Sequence, residues 1–364
     1  MRSHHRRTIS CRRSLILLIG GALTLASPLL HAEPTPDTIT FSGFVDSTLS
    51  RDFNDPPSRY RSYTTQPYYT DELALNLAHL DATLSSERYR GRFAAQYGSS
   101  VEGNYAAEPD IAVRYIQEAF AGVRVSDALA IDAGVFLSHL GGESWISRDN
   151  FTPSRSLVAD YSPYYEAGIR SIYTFSPKLR AELHLTRGWQ NISAASDPAL
   201  GTLLTYQVTD ATSITHNLFL GNQHGTRIFN DFVIRHSLSS KVNVLGCYDL
   251  GVQNRQTEST ALWNGFSLIA QYKLSDDLSI AGRVERFTDP HQVVAYGPSG
   301  QSLTAVGLSM NVDYAITPQL IWRTEYRALH ATRDVFPRHD AYSASDTVAM
   351  ISLLYTVANE HLRI

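Results

Sequence analysis

The sequence predicts an all-β fold, a transmembrane antiparallel up-and-down β-barrel of about 16 strands, within a range of about 14 to 18. Three observations predict it. Apolar and polar residues alternate with period two down nearly the whole chain, and no amphipathic helix longer than two turns interrupts them. Short turns of one type alternate with longer polar loops. Lysine is confined to Lys178, Lys241 and Lys273, whereas the chain holds 20 tyrosines, a balance unlike that of an ordinary soluble enzyme.

Residues 1–32 read as a secretory signal peptide, which leaves 33–364 as a single outer-membrane β-barrel domain. Arg2, Arg6, Arg7, Arg12 and Arg13 form a basic start, Leu15 to Leu25 is apolar, Ser27-Pro28 breaks the run, and Ala32 offers a small residue at the cut. The chain has 31 Lys+Arg and 35 Asp+Glu; five of the arginines and none of the acids lie in 1–32, so the remainder carries a net charge of −9. An acidic chain of this kind is not built for nucleic acid. Cys11 leaves with the signal, and Cys247 alone can make neither an intramolecular disulfide nor a cysteine zinc cluster. Beyond Ala32 no apolar run reaches the ~18 residues a membrane helix needs. An exported chain with neither device is periplasmic, secreted or an outer-membrane barrel, and the alternation favours the barrel.

The first strand opens with Ile39-Thr-Phe41-Ser-Gly43-Phe-Val45, and its hairpin (39–86) shows a break of phase around His79-Leu80-Asp81. In 88–97, Tyr89, Phe93 and Tyr97 alternate with Arg88, Arg90 and Arg92. Further on, Leu278, Ile280 and Val284 alternate with Arg283 and Glu285, and Leu320, Trp322 and Tyr326 with Arg323, Glu325 and Arg327. The tight turns are Ser85-Ser86-Glu87-Arg88, Ser126-Asp127-Ala128-Leu129, Ser176-Pro177-Lys178-Leu179, Thr209-Asp210-Ala211-Thr212, Ser239-Ser240-Lys241-Val242, Ser275-Asp276-Asp277-Leu278 and Thr317-Pro318-Gln319-Leu320. Their small polar side chains can bond their own backbone. Longer loops fall at 50–70, 98–113, 140–163, 253–261, 288–301 and 330–345. Seven turns and eight loops give about 16 strands, with short periplasmic turns and long extracellular loops. Tyr173, Tyr206, Tyr272 and Tyr314 each precede a turn by two or three residues, where amphipathic rings suit a membrane interface. The last strand is expected to close near Tyr355 or Val357, with a short polar tail to Ile364.

In such a barrel the apolar phase meets lipid and the charged phase meets water, because arginine at mid-membrane on the lipid face costs about 2–4 kcal/mol. The pore-lining residues inferred from this phase are Arg88, Arg90, Arg92, Glu118, Asp132, Glu166, Arg170, Arg180, Glu182, Asp231, Arg235, Arg283, Glu285, Arg323, Glu325 and Arg327. The loop 140–163 is among the longest and carries Arg148, Asp149, Arg155 and Asp160; it is the candidate constriction, folding inward so that its charges face wall arginines such as Arg88, Arg90, Arg92, Arg170 and Arg323.

The chain also resembles the OmpL-like β-barrel porin-2 family. The resemblance runs through Gly43-Phe44-Val45-Asp46, Ile116-Gln117-Glu118-Ala119-Phe120, Leu129-Ala-Ile131-Asp132-Ala133-Gly134, Ser147-Arg148-Asp149-Asn150-Phe151, Ser154-Arg155-Ser156-Leu157, Tyr161-Ser162-Pro163-Tyr164-Tyr165 and Gly188-Trp189-Gln190-Asn191. It spans nearly all of the chain after residue 32 and is most specific over 116–191. It implies a channel in the outer membrane of a Gram-negative cell, with no catalytic residues to carry over. One departure is the non-aromatic end at Ile364, where many outer-membrane barrels carry an aromatic residue that the assembly machinery reads.

The function expected is passive diffusion of small hydrophilic solutes through a charged lumen, with a weak anion preference from a slight excess of inward arginine. The expected partners are outer-membrane lipid, the solutes, the assembly machinery and, in a porin, further copies of the chain as a homo-oligomer; no metal or cofactor is expected. Two other classes compete. A receptor or adhesin would use the long loops. A barrel enzyme would need a base beside its nucleophile, but His79, His139, His184, His216 and His236 read as isolated residues on separate strands, and His291, His330 and His339 as loop residues of no diagnostic spacing.

Overall fold

The computed structural model describes residues 37–255 and 259–363, so the signal-peptide reading of 1–32 lies outside the described residues. Within them, β1 (Thr38–Asp52), β2 (Leu73–Ser85), β3 (Tyr89–Tyr97), β4 (Ile116–Arg124), β5 (Leu129–Leu137), β6 (Tyr165–Ser176), β7 (Leu179–Thr186) and β8 (Ala199–Thr209) make one half of a wall. The other half comprises β9 (Thr212–Asn222), β10 (Thr226–Ser237), β11 (Val242–Gln253), β12 (Ala261–Lys273), β13 (Leu278–Asp289), β14 (Leu303–Thr317) and β15 (Leu320–Ala331). A small hairpin, β16 (Phe336–Arg338) with β17 (Ala341–Ser343), sits in the last loop before β18 (Ser345–Arg363). Every wall strand pairs antiparallel with its neighbours, and β18 closes onto β1, giving the closed barrel of 16 strands that the turn spacing predicts. Closure leaves no strand edge unpaired, as a wall bathed in lipid requires.

The turns work as their composition suggests. Ser126 Oγ, Ser239 Oγ, Ser275 Oγ and Thr317 Oγ1 each accept the amide three residues on at 3.1 Å, and Ser86 Oγ accepts the Tyr89 amide at 2.9 Å. One hydroxyl in each of these turns thus gives the amide that restarts the strand a local acceptor. Tyr173, Tyr206, Tyr272 and Tyr314 are exposed on the outer face beside these turns. Large apolar side chains such as Leu80, Phe93, Ile169, Leu268 and Met310 cover the rest of that face.

Three sequence expectations are corrected. The last strand does not stop near Tyr355 or Val357; it continues to Arg363, because the first residues of β1 need a ladder partner and Thr38 pairs with Arg363. The irregularity of the first hairpin is not at His79-Leu80-Asp81. It is a bulge at Asn76, which has no register partner between Asp46↔Leu77 and Ser47↔Leu75. The bulge turns Asn76 and Leu77 inward together, and Asn76 Nδ2 donates to Asp46 Oδ2 at 2.8 Å. Arg88 is not a wall residue: it lies exposed in the bend before β3.

The inner face is less uniformly charged than the alternation implies. Phe219, Phe229, Val233, Leu245, Trp263, Ile269 and Phe287 are buried inside the β9–β13 side, and the short helix Leu157–Asp160 packs Leu157 and Val158 into them. Charged inner residues line β2–β7 and β13–β15, and Asp46 and Asp52 on β1 and Arg227, Asp231 and Asp249 on β10 and β11 add to them.

Candidate functional site

The third loop, 138–164, runs inside the barrel. Its polar groups find partners on several strands around the wall, which fixes it across the lumen. Near its start, the Gly141 amide donates to Asp231 Oδ2 at 2.7 Å, and Arg235 donates to the Gly142 carbonyl. In the middle, Ser147 Oγ donates to Asp46 Oδ2 at 2.6 Å on the far wall. Arg323 donates to the carbonyls of Ser147 and Asn150 at 2.8 and 2.9 Å while its other edge meets Asp313. The Ser154 amide and hydroxyl both donate to Glu325, at 2.7 Å each, and the Leu157 amide donates to Glu285 at 2.7 Å.

Arg283 is the centre of this clamp. It donates to Thr152 Oγ1 at 2.9 Å, the Ser154 carbonyl at 2.8 Å, Ser154 Oγ at 2.7 Å and Glu325 Oε1 at 3.2 Å. Arg327 holds Glu285 with two N–H groups at 3.0 Å each. A buried charge is tolerable only when it is paired, and Arg283, Arg327, Glu285 and Glu325 pair with one another. Burial holds the Glu143 carboxyl of the loop above its usual range, against the pull of Arg283 at 3.8 Å.

The loop's own charges divide. Arg155 is buried between the Trp145 and Tyr164 rings, 4.9 and 3.8 Å from their centroids, and donates to Thr65 Oγ1 at 2.7 Å. Thr65 in turn donates to Asp160 Oδ1 at 2.6 Å, so the first loop (53–72) is tied to the third. Burial pushes the Tyr164 phenol well up, and it stays a neutral donor to Asp160. Arg148 and Asp149 instead pair with each other at 3.1 Å, half-exposed, with Arg148 over the Phe44 ring.

The arginines expected to face this loop mostly do not. Arg90 and Arg170 both hold Asp132, at 3.1 and 2.8 Å, Arg92 holds Asp81 and Glu118, and Arg180 pairs with Glu182. Gly122 gives this arrangement room, since a Cβ there would lie 2.1 Å from Asp132 Oδ1. Of the five arginines expected to face the loop, Arg323 bonds it directly, and the pore-lining Arg235 and Arg283 bond it as well.

Above the loop lies a vestibule. A cavity of about 900 Å³ is lined by Asn104, Ser162, Tyr164, Trp189, Gln190, Arg227 and Gln253, among others. Arg227 stands between Trp189 and Trp263, 4.7 and 5.3 Å from their centroids, and donates to Gln253 Oε1 at 2.8 Å. On the other side of the loop a smaller cavity of about 280 Å³ is lined by Phe151, Asp210, Arg235 and Asn243. A space of about 210 Å³, lined by Ser162, Tyr164, Gly142 and Arg235, shares residues with both. A closed 16-stranded wall, an inward third loop and polar chambers on both of its sides are the parts of a porin.

The comparisons agree. The family model for beta-barrel porin-2, OmpL-like, matches residues 38–357. The chain belongs to this family. No curated relative matches it. Among solved structures, it is similar to the outer membrane channel DcaP of Acinetobacter baumannii, at 13% identity and a TM-score of 0.64 over 88% of this chain and 98% of that one. It is also similar to an anion-selective porin from Comamonas acidovorans, at 10% identity and a TM-score of 0.60 over 88% and 100%. The trimer form of OmpT from Vibrio cholerae matches at 9% identity and 0.58 over 89% and 100%. These likenesses establish the fold; with the family they make the chain an outer-membrane, multi-pass porin barrel.

Several important residues of this porin escape a sequence reading. Trp263, Phe229 and Phe219 line the inside although they look like lipid-facing residues; the available signal was apolar character on both phases, as in Ile228-Phe229 and Leu262-Trp263. His139 is not on a strand, and it is not isolated. It lies just past β5, where it meets Glu166 and stacks on His184. Residues far apart in sequence give no spacing from which that meeting could be read.

Proposed function

We propose that the chain is a passive, non-catalytic diffusion channel for small hydrophilic solutes with a weak preference for anions, and that loop 138–164 forms its constriction. One observation carries the preference. In the wall pairs the guanidinium faces the lumen water and the carboxylate lies behind it: Arg90 is 26% exposed against 0% for Asp132, Arg92 26% against 5% for Asp81, and Arg180 50% against 6% for Glu182. A passing solute therefore meets the cationic half of each pair. The half-exposed Arg235, shared by the two chambers beside the loop, adds to this.

Single-channel recording from the refolded chain in a planar bilayer, with reversal potential under a potassium chloride gradient, tests both parts. Stable open steps and a reversal potential of the anion-selective sign are expected. Folded, inserted protein that passes no current defeats the channel reading, and a reversal of the cation-selective sign defeats the charge assignment. A homo-oligomer is part of the proposal, supported by the trimer form among its structural likenesses; sedimentation in detergent measures it.

A further inference from the structure

We propose that His139, Glu166 and His184 bind a divalent transition-metal ion of the zinc class at the root of the crossing loop. Glu166 comes from β6, His184 from β7 and His139 from the first turn of the loop, and all three are buried. One donor atom from each lies within 4.8 Å of the other two. The imidazoles stack with centroids 4.2 Å apart.

The acceptors beside each imidazole fix where its ring proton sits. His139 Nε2 lies 3.0 Å from the Leu218 carbonyl, which can only accept, so Nε2 carries a hydrogen. His184 Nε2 lies 3.0 Å from Glu182 Oε2, a carboxylate oxygen, and carries one too. In a neutral ring the lone pair then belongs to Nδ1. Both Nδ1 atoms point at Glu166: His139 Nδ1 at 3.0 Å from Oε1, and His184 Nδ1 at 3.4 Å from Oε2, without a hydrogen-bond partner. Two lone pairs and a carboxylate converge on one buried spot, and they repel unless positive charge sits among them. A single added proton on His139 Nδ1 serves the contact to Glu166 Oε2 at 3.1 Å and leaves His184 Nδ1 without a partner, while two would set two imidazolium rings face to face at 4.2 Å. A single divalent ion satisfies all three donors at once.

The surroundings fit an ion. A metal-bound histidine usually donates its other N–H to a carbonyl or carboxylate, which fixes the ring, and Leu218 and Glu182 are those acceptors here. Ser138 Oγ donates to Glu166 Oε1 at 3.3 Å and steadies the carboxylate. Gly201 makes space for the ring, because a Cβ there would lie 2.4 Å from His139 Cε1. Two imidazoles and one carboxylate suit zinc, nickel or copper better than magnesium or calcium. The chamber lined by Ser138 and Leu140, the chain neighbours of His139, lies beside the site. A bound ion would fasten the loop root to two wall strands.

The test uses the folded chain in detergent, stripped with chelator and held at about pH 8, where free imidazole is neutral. Zinc chloride is titrated by calorimetry, and metal per chain is counted after desalting. One zinc per chain is expected, with affinity down at least about 10-fold in His184→Gln and in Glu182→Gln, the loss typical of a ligand or of its outer partner. Folding of each variant is checked by its heat-modifiable gel mobility. Unchanged uptake in His139→Gln/His184→Gln, or no uptake by the wild type, overturns the site. If the variants do not fold, ¹⁵N spectra of the wild-type imidazoles decide: Nδ1 of both rings must take a metal-bound shift on adding zinc, and protonated Nδ1 in saturating zinc overturns it. None of these readouts depends on conductance, so the channel reading stands or falls separately.

Discussion

Arg283 shows how a single side chain can hold a pore element. It is wholly buried, and its partners are the crossing loop, the Glu325 carboxylate and the Ser309 hydroxyl of β14. Arg283→Met leaves Glu325 and Glu143 buried without their cation, a defect that costs about 3–5 kcal/mol. The expected outcome is a lower unfolding midpoint in urea and noisier single-channel steps. Arg283→Lys should recover little, because one ammonium cannot reach a loop hydroxyl, a carbonyl and a carboxylate in one plane. Gly251 carries a different load. It pairs with Phe229 on one side and Trp263 on the other, and the indole lies where a Cβ would stand, 2.0 Å from its ring atoms. Gly251→Ala should push Trp263 off its seat, cost about 1–3 kcal/mol in urea unfolding, and perturb tryptophan fluorescence. At this scale the sequence is a poor guide. The alternation places Arg283 and Glu325 on the inner face, but the Ser154 groups between them come from a segment well over a hundred residues away.

At the scale of elements the sequence says much more. Every expected turn is a turn, since a Ser or Thr hydroxyl that caps its own backbone is a local device and needs no distant partner. The bulge at Asn76 and the extension of β18 are not local. One answers to Asp46 across the hairpin and the other to the ladder along the first residues of β1, so neither leaves a signature in its own residues. The crossing loop combines both cases: its length and charge mark it, while its path is set by wall residues on β1, β10, β13 and β15. Replacing 144–156 by a short Gly-Ser linker removes the bonds to Asp46, Glu325 and Arg323 together. Conductance is expected to rise several-fold with the barrel still folded, as judged by bilayer recording and heat-modifiable mobility. Unchanged conductance would show that the loop does not limit flow.

For the whole molecule, the inner wall is two-sided. The β9–β13 side carries the apolar cluster that receives the helix Leu157–Asp160, with Arg227, Asp231 and Asp249 set among it, and the β2–β7 side carries the arginine pairs. This asymmetry was hidden because a buried aromatic inside the barrel and a lipid-facing one outside read alike in a strand. The double substitution Arg92→Gln with Arg180→Gln removes two lumen-facing cations and keeps the shape. Its reversal potential should move toward the cation-selective sign by several millivolts under a tenfold salt gradient; no movement would take these pairs out of the permeation path.

The carboxylates tucked behind those arginines also determine how far the field reaches. A guanidinium backed by its own counter-charge acts on a passing ion as a short dipole, and its influence fades faster with distance than that of a lone cation. Mobile ions shorten it further, since the screening length falls from about 10 Å at 0.1 M salt to about 3 Å at 1 M. Discrimination between chloride and potassium should therefore be clear in dilute electrolyte and nearly vanish in concentrated electrolyte. Solutes would be sorted by charge in a freshwater-like medium and by size alone in brine.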